Sequence, residues 1–207
     1  MGEAAGAVRP RAGRAERPAP EGFRYAPELV PREEEADLVE RIRELPLKEF
    51  EFHGYLGKRR VVYFGWQYSY GDRTLNAAPE IPGFLVPLRE RAAAFAGLAA
   101  EDLVHAMATE YRPGTAIGWH RDKAAFGEVI GVSLHSACLF RLRRKTGVGK
   151  WERYSVLAEP RSAYLLRGAA RSEWQHSIPA VAGLRYSVTF RSLADGAAAA
   201  GRGREKA

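Results

Sequence analysis

Short apolar stretches separated by glycine and proline turns fill the chain from Val104 onward, and this pattern restricts the fold more than any other feature. Several short strands at this spacing, without helices between them, are typical of a β-sandwich or jelly roll and not of a βαβ fold. Period-two alternation also predicts one apolar face from Ile130 to Leu142, interrupted at Ser136. The stretches are Val104–Tyr111, Val129–Leu142, Tyr154–Leu157, Ala163–Leu166 and Tyr186–Phe190.

Two segments before Val104 have a helical pattern. Apolar residues fall at helical spacing in Pro31–Leu45 and again in Pro82–Ala96. Pro31 suits the first turn of a helix, and Gly97 suits the position just after the last turn. The chain is therefore predicted to be mainly β with flanking α-helices.

Composition predicts one domain with two polar tails. The chain has 207 residues, and residues 1–20 and 194–207 are rich in Ala, Gly and Arg, so we predict disordered tails around a domain at 21–193. No apolar run approaches the roughly 20 residues that span a bilayer, so we expect no membrane partner. Cys138 is the only cysteine, which excludes an intrachain disulfide and favours a reducing cytoplasm. The net charge of +7 weakly favours polyanionic partners.

Three residues form a candidate metal site. His120 and Asp122 are two apart, so on a strand both face one side, and His176 follows in a later apolar segment. Two imidazoles and one carboxylate suit non-haem Fe(II) with open coordination positions, and they also suit zinc. His53, His105 and His135 lack this context, and we interpret them as structural or surface residues.

Two arginines follow the second candidate histidine. Arg185 and Arg191 are six residues apart, an even spacing that puts both on one face of a strand. The alternative is a pair of exposed strand arginines. If both face inward, they need buried anions, and a dicarboxylate would satisfy both because arginine binds carboxylates in a bidentate manner.

Together these residues resemble the AlkB-type Fe(II)/2-oxoglutarate dioxygenases. The resemblance runs from about Arg24 to Leu193, and it is specific because several motifs occur in the same order. Its main motifs are Tyr111-Arg112-Pro113-Gly114, His120-Arg121-Asp122, the distant His176, and Arg185 with Arg191 six residues later.

The resemblance implies a double-stranded β-helix, or jelly roll, that uses Fe(II), 2-oxoglutarate and O₂. It implies His120, Asp122 and His176 as iron ligands. It also implies that Arg185 binds the far carboxylate of 2-oxoglutarate and that Arg191 lies near the other carboxylate. The same co-substrate site includes Tyr111 and Thr109, where the family often has Asn at the threonine position.

The implied reaction is oxidative demethylation, and the first substrate hypothesis is an alkylated nucleic-acid base in DNA or RNA. The segment from His53 to Asn76 would form a substrate lid, in which aromatic rings stack on a base and basic side chains contact phosphates. Ala124 stands where DNA-repair members carry an acid, so a repair substrate is less strongly implied. The lid residues are Arg60, Trp66, Tyr68 and Tyr70, with Lys58, Arg59 and Arg73 as further basic residues.

Two alternative hypotheses assume a different substrate or no catalytic activity. The enzyme would instead demethylate or hydroxylate a protein side chain, or the chain would be a degenerate binding module. The complete set of candidate ligands and arginines disfavours the binding module. We expect the protein to be a monomer.

Overall fold

The computed structural model describes residues 18–52, 55–68 and 74–194. The predicted tails lie almost wholly outside these residues, so their disorder and the limits of the domain stay predictions. Strand is the main secondary structure of the described chain, with flanking helices, as predicted. In this part of the chain, no helix is long and apolar enough to cross a membrane.

Within the described residues the chain forms twelve strands and three α-helices. The strands are β1 (Phe23–Ala26), β2 (Lys48–Phe52), β3 (Tyr55–Tyr68), β4 (Leu75–Ala77), β5 (His105–Tyr111), β6 (Ile117–His120), β7 (Phe126–Leu134), β8 (Cys138–Gly147), β9 (Lys150–Ala158), β10 (Ala163–Leu166), β11 (Gln175–Ile178) and β12 (Arg185–Leu193). The α-helices are α1 (Arg32–Arg43), α2 (Val86–Ala96) and α3 (Gly168–Ser172), with 3₁₀ turns at Gly83–Leu85 and Ala100–Asp102.

The strands form two antiparallel sheets. The major sheet has the order β1-β10-β7-β12-β5-β3-β2, with β4 paired to β3, and the minor sheet has the order β6-β11-β8-β9. Their inner faces pack together, for example where Tyr164 of the major sheet stacks on Phe140 of the minor sheet with ring centroids 4.1 Å apart. This pair of facing sheets is the predicted jelly roll.

The helices α1 and α2 cover the outer face of the major sheet. Leu38, Ile42 and Leu88 from these helices share one core with Val188 and Phe190 of β12. Gly97 ends α2 in the left-handed conformation, with φ of 71°, as predicted for a helix stop.

Alternation along β12 separates this core from the interior between the sheets. Tyr186, Val188 and Phe190 belong to the core beneath the helices. Arg185 and Arg191 have the opposite phase and are buried, with relative exposures of 1% and 9%. The prediction that both arginines share one face is therefore confirmed, and of the two open alternatives the structure shows the inward one.

The single apolar face predicted from Ile130 to Leu142 is wrong. The chain turns at His135, which has φ of 73°, and the segment becomes two strands in different sheets. Ile130 and Leu134 of β7 pack beneath the helices, whereas Phe140 and Leu142 of β8 pack between the sheets. β7 is buried on both faces and β8 on one, but the row of Ile130, Val132 and Leu134 in β7 and the apolar row of β8 have the same period, so the pattern continued across the turn.

Gly65 changes the phase of the long strand β3. It has φ of 73°, and an added Cβ would lie 2.0 Å from the carbonyl oxygen of Val104. Before it, Val62 and Phe64 pack against the helices, so Tyr63 faces the other side. After it, Tyr68 lies on the same side as Tyr63 despite the odd spacing. A side chain at position 65 would strain the backbone conformation at which this reversal occurs.

We predict that Gly65→Ala lowers the free energy of unfolding by roughly 2–4 kcal/mol, because the substitution adds both positive-φ strain and a backbone clash. Urea denaturation measures the change. Gly147→Ala is the matched control, since an added Cβ there meets nothing within 4 Å. Equal stabilities for the two variants would contradict the role given to Gly65.

Candidate functional site

His120 and His176 lie side by side across two paired strands. Residue 120 of β6 is the register partner of residue 176 of β11, and the imidazole centroids are 4.2 Å apart. Directly opposite residues point to the same face of a sheet, here the inner face. The fold therefore brings together two residues that are 56 positions apart in the sequence.

Asp122 completes the cluster just after β6 ends. Its Oδ2 lies 3.5 Å from Nε2 of His176, and its Oδ1 accepts hydrogen bonds from Nε and Nη2 of Arg191 at 2.9 and 2.7 Å. The third nitrogen of this guanidinium, Nη1, donates to Nε2 of His105 at 3.0 Å. The three predicted ligands and one predicted arginine thus form one connected cluster.

Hydrogen bonds determine which atoms of the cluster are available. Nδ1 of His120 is 2.9 Å from the carbonyl oxygen of Gly118, which can only accept, so Nδ1 carries the hydrogen and Nε2 keeps its lone pair. Oδ2 of Asp122 is buried and has no hydrogen-bond partner in the described part of the chain. A buried carboxylate oxygen without a partner is unfavourable unless a cation completes it.

The charges of the cluster suit a cation at neutral pH. Burial lowers the pKa of His176 to about 3 and also lowers the pKa of His120. Burial alone would raise the pKa of Asp122, but the charge of Arg191 and the two imidazoles hold it below its usual range. Neutral imidazoles beside an ionised carboxylate are the protonation states that bind a metal ion.

The three ligand atoms are close together without already surrounding a common point. Among the described residues, no group of three His, Cys, Asp or Glu side chains has the spacing of a formed metal site. Oδ2 of Asp122 and Nε2 of His176 are 3.5 Å apart. This is near the roughly 3 Å expected between two neighbouring ligand atoms that each lie about 2.1 Å from one ion. The donor set and its orphaned oxygen fit a divalent cation.

Arg171 fixes the loop that carries Asp122. Its guanidinium donates to four carbonyl oxygens of this loop, at distances between 2.6 and 3.3 Å. The carbonyls belong to Asp122, Lys123, Phe126 and Gly127. Because one planar group holds all four, the loop has little freedom to move the carboxylate.

Within the residues that the structure describes, Arg185 is buried without a compensating anion. Its Nε donates to Oγ of Ser133 at 3.1 Å, and its guanidinium lies 4.7 Å from the ring centroid of Tyr111. Nη1 is buried and has no hydrogen-bond partner. A buried cation of this kind requires a partner, and a carboxylate is the natural one. Thr109, two residues before Tyr111, is also fully buried with an unpaired hydroxyl.

A cleft leads to the cluster and is lined by aromatic and basic side chains. The approach to His120 and Asp122 is surrounded by three aromatic and two basic side chains, those of Phe50, Tyr63, Tyr68, Arg59 and Lys123. Nζ of Lys123 lies 5.4 Å from the ring centroid of Tyr68. The cleft can therefore accept a flat group between rings and an anion beside it.

The structure brings only part of the predicted lid to this cleft. Arg60 faces away, where it pairs with Glu110 at 3.2 Å and donates to the carbonyl oxygen of Leu47, so its placement in the lid is corrected. Arg59, one residue earlier, lines the cleft in its place. Tyr68 lines the cleft, whereas Trp66 does not. The other predicted lid residues, Tyr70, His53 and Arg73, lie outside the described residues.

His105 has a contact that the sequence interpretation missed. It is buried, as a structural role requires, but it accepts a hydrogen bond from Arg191 and lines the cleft. Burial and the charge of Arg191 lower its pKa well below the usual value. The available sequence signal was its even spacing from Thr109 and Tyr111, which places all three on one face of β5.

Comparison with protein families agrees with the chemistry of the site. The family described as the 2OG-Fe(II) oxygenase superfamily matches residues 22–191. The chain belongs to this superfamily. It is therefore a dioxygenase that uses Fe(II), 2-oxoglutarate and O₂.

Two similar proteins belong to the AlkB group. The "Alkylated DNA repair protein ALKBH8 homolog" of Arabidopsis thaliana is 32% identical over 148 residues, which are 60% of this chain and 42% of that protein. The "tRNA (carboxymethyluridine(34)-5-O)-methyltransferase ALKBH8" of Mus musculus is 28% identical over 167 residues, which are 77% of this chain and 24% of that protein. The chain thus spans less than half the length of either relative.

Solved structures share the fold. OsALKBH1 superposes with a TM-score of 0.63 at 16% identity, covering 86% of this chain and 99% of that one. A 2OG-Fe(II) oxygenase family oxidoreductase from Burkholderia pseudomallei superposes with a TM-score of 0.60 at 13% identity, covering 84% and 86%. These structural likenesses show the jelly-roll fold, and the two relatives agree with the resemblance to AlkB-type oxygenases.

We predict that the metal-free protein loses roughly 2–3 kcal/mol of stability when the pH falls from 6.5 to 4. The pKa of His176 is about 3 in the folded protein and near 6.5 when unfolded, so only the unfolded chain gains this proton. Below about pH 4, the lowered pKa of Asp122 adds a loss in the same direction. Denaturant unfolding across this pH range measures the effect.

His176→Gln is expected to flatten the dependence between pH 6.5 and 4. His135→Asn is the matched control, because it removes an exposed imidazole from a turn with positive φ that Asn tolerates. An unchanged slope in His176→Gln would contradict the assigned burial of a neutral imidazole.

Proposed function

We propose that His120, Asp122 and His176 hold the Fe(II), and that Arg185 binds one carboxylate of 2-oxoglutarate. Two orphaned buried atoms support this, Oδ2 of Asp122 and Nη1 of Arg185, since a cation completes the first and an anion the second. Arg191 lies at the metal end, where its charge holds Asp122 ionised. Tyr111 and Thr109 complete the co-substrate site beside Arg185.

We further propose that the substrate is an alkylated base in a nucleic acid and that the reaction is oxidative demethylation. The observation that carries this is the wall of the cleft, where Tyr63 and Tyr68 offer stacking surfaces and Arg59 and Lys123 offer positive charge. Stacking accepts any base, and the cations suit the phosphates beside it. In a duplex, the base would have to be flipped out of the stack to reach the cleft.

Fe(II) and 2-oxoglutarate supply the oxidation: O₂ is consumed, 2-oxoglutarate becomes succinate and CO₂, and one oxygen atom enters a substrate C–H bond. On an N-methyl group the product is a hemiaminal, which releases formaldehyde and leaves the demethylated nitrogen. The side chains of this chain position the methyl group near the site and exclude water. Tyr68 and Tyr63 would orient the base, while Arg171 keeps the Asp122 loop fixed.

The names of the two relatives support a nucleic-acid substrate, because one refers to alkylated DNA repair and the other to a tRNA uridine. A methylated protein side chain is the alternative that the experiment must separate. We also propose a reducing cytoplasm, because Cys138 is a buried free thiol. The expectation of a monomer stays a prediction.

The test is a panel of single-stranded RNA and DNA oligonucleotides with N-methylated bases, together with N-methylated peptides. Purified protein with Fe(II), 2-oxoglutarate and O₂ is expected to remove one methylene unit of mass from an oligonucleotide and to release formaldehyde. Mass spectrometry identifies the product. Demethylation of peptides alone would overturn the nucleic-acid proposal and favour the protein substrate.

Two variants connect this activity to the cleft. Tyr68→Leu is expected to lower kcat/KM for the oligonucleotide roughly tenfold, because a stacking contact contributes about 1–3 kcal/mol. Tyr25→Leu is the matched control, because Tyr25 lies on β1 and its hydroxyl donates to Leu157, away from the cleft. Equal kcat/KM values for both variants would show that Tyr68 does not contact the base.

A further inference from the structure

The outer face of the minor sheet is basic and aromatic. Period-two alternation turns one set of residues of β6, β8 and β9 away from the interior, while Cys138, Phe140 and Leu142 pack inward. The same side also carries Leu139, Ser155 and Leu157, and its basic and aromatic part, called here the hairpin face, consists of Trp119, Arg141, Arg143, Lys145, Trp151 and Arg153. None of these six residues is acidic.

The charges of the hairpin face are not neutralised within the part of the chain that the structure describes. Arg141 donates from Nε to the hydroxyl of Ser177 at 3.1 Å, and Arg143 donates from Nε to the amide oxygen of Gln175 at 2.8 Å. Both partners are neutral. In contrast, Arg144 has the opposite phase and forms ion pairs with two carboxylates, those of Glu152 and Glu173.

Two like charges are also placed directly opposite each other. Arg143 of β8 is the cross-strand partner of Arg153 of β9, and Lys145 is the partner of Trp151. Directly opposed like charges destabilise an antiparallel pair. Their repulsion is relieved when a polyanion lies across both strands, and such a surface attracts one over several ångströms.

Tryptophan rings hold the central arginine in place. The guanidinium carbon of Arg143 lies 4.3 Å from the ring centroids of both Trp119 and Trp151, which come from strands on different sides of β8. Stacking of this kind orders the guanidinium plane while its Nη hydrogens stay available. An ordered guanidinium with free donors suits bidentate recognition of a phosphate.

We propose that the hairpin face binds the sugar-phosphate backbone of the nucleic acid whose base enters the cleft. The two surfaces share β6, the edge strand of the minor sheet, where Trp119 faces outward and the next residue, His120, faces the site. A strand of nucleic acid that crosses this edge contacts both. The proposal extends the proposed function, because it takes its substrate class from there.

The test measures binding of unmethylated single-stranded RNA by fluorescence anisotropy over a series of KCl concentrations. The double variant Lys145→Glu/Arg153→Glu is expected to weaken RNA binding at least about tenfold. It should also reduce the slope of log K against log salt by roughly 1.4, because two phosphate contacts to a single strand are lost. Both side chains are exposed and lie outside the catalytic cluster, so turnover of 2-oxoglutarate without nucleic acid should stay at the wild-type rate.

Arg24→Glu/Arg32→Glu is the control, because it makes the same change in net charge at exposed residues on the helix side of the major sheet. Its RNA binding is expected to exceed that of the hairpin-face variant at every salt concentration. Equal losses in both variants, or no loss in either, would overturn the proposal. This outcome is distinguishable from failure of the proposed function, because unmethylated RNA reports binding and not demethylation.

Discussion

The contact between Arg191 and Asp122 is the interaction on which the rest of the site depends. Both side chains are buried, and removal of one partner from such a pair costs about 3–5 kcal/mol, because the other charge stays unpaired. Arg191 binds only Oδ1, so Oδ2 stays turned toward His176. His105 occupies the remaining nitrogen of the guanidinium, which fixes the orientation of the pair. The carboxylate is thus kept ionised and aimed before a metal ion binds.

One strand connects this pair to the core and to the co-substrate site. The apolar residues of β12 anchor it beneath the helices, and its other face carries Arg191 at one end and Arg185 at the other. A shift of one residue in its pairing would exchange the two faces and bury the core residues in the site. The same hydrophobic packing that stabilises the fold therefore sets the separation of the two arginines.

Much of this arrangement follows from the sequence by alternation. The shared face of Arg185 and Arg191, the strand Ala163–Leu166 and the stop at Gly97 were all predicted, because each depends on local periodicity or on one glycine. Local patterns did not reveal that Gly65 reverses the phase of β3, which brings Tyr68 to the side of Arg59 and Tyr63 and not to the side of Arg60. The contact between His105 and Arg191 joins residues 86 positions apart and exists only through strand pairing.

The central claim is that one end of this interior binds the metal and the other binds the dicarboxylate. Calorimetric titration with Mn(II), an oxygen-stable substitute for Fe(II), and then with 2-oxoglutarate tests both ends separately. His120→Ala is expected to lose Mn(II) binding, whereas Arg185→Met, which keeps the side-chain length without the charge, should bind Mn(II) normally and 2-oxoglutarate roughly 100-fold more weakly. Normal Mn(II) binding by His120→Ala, or unchanged 2-oxoglutarate affinity in Arg185→Met, would contradict the assignment.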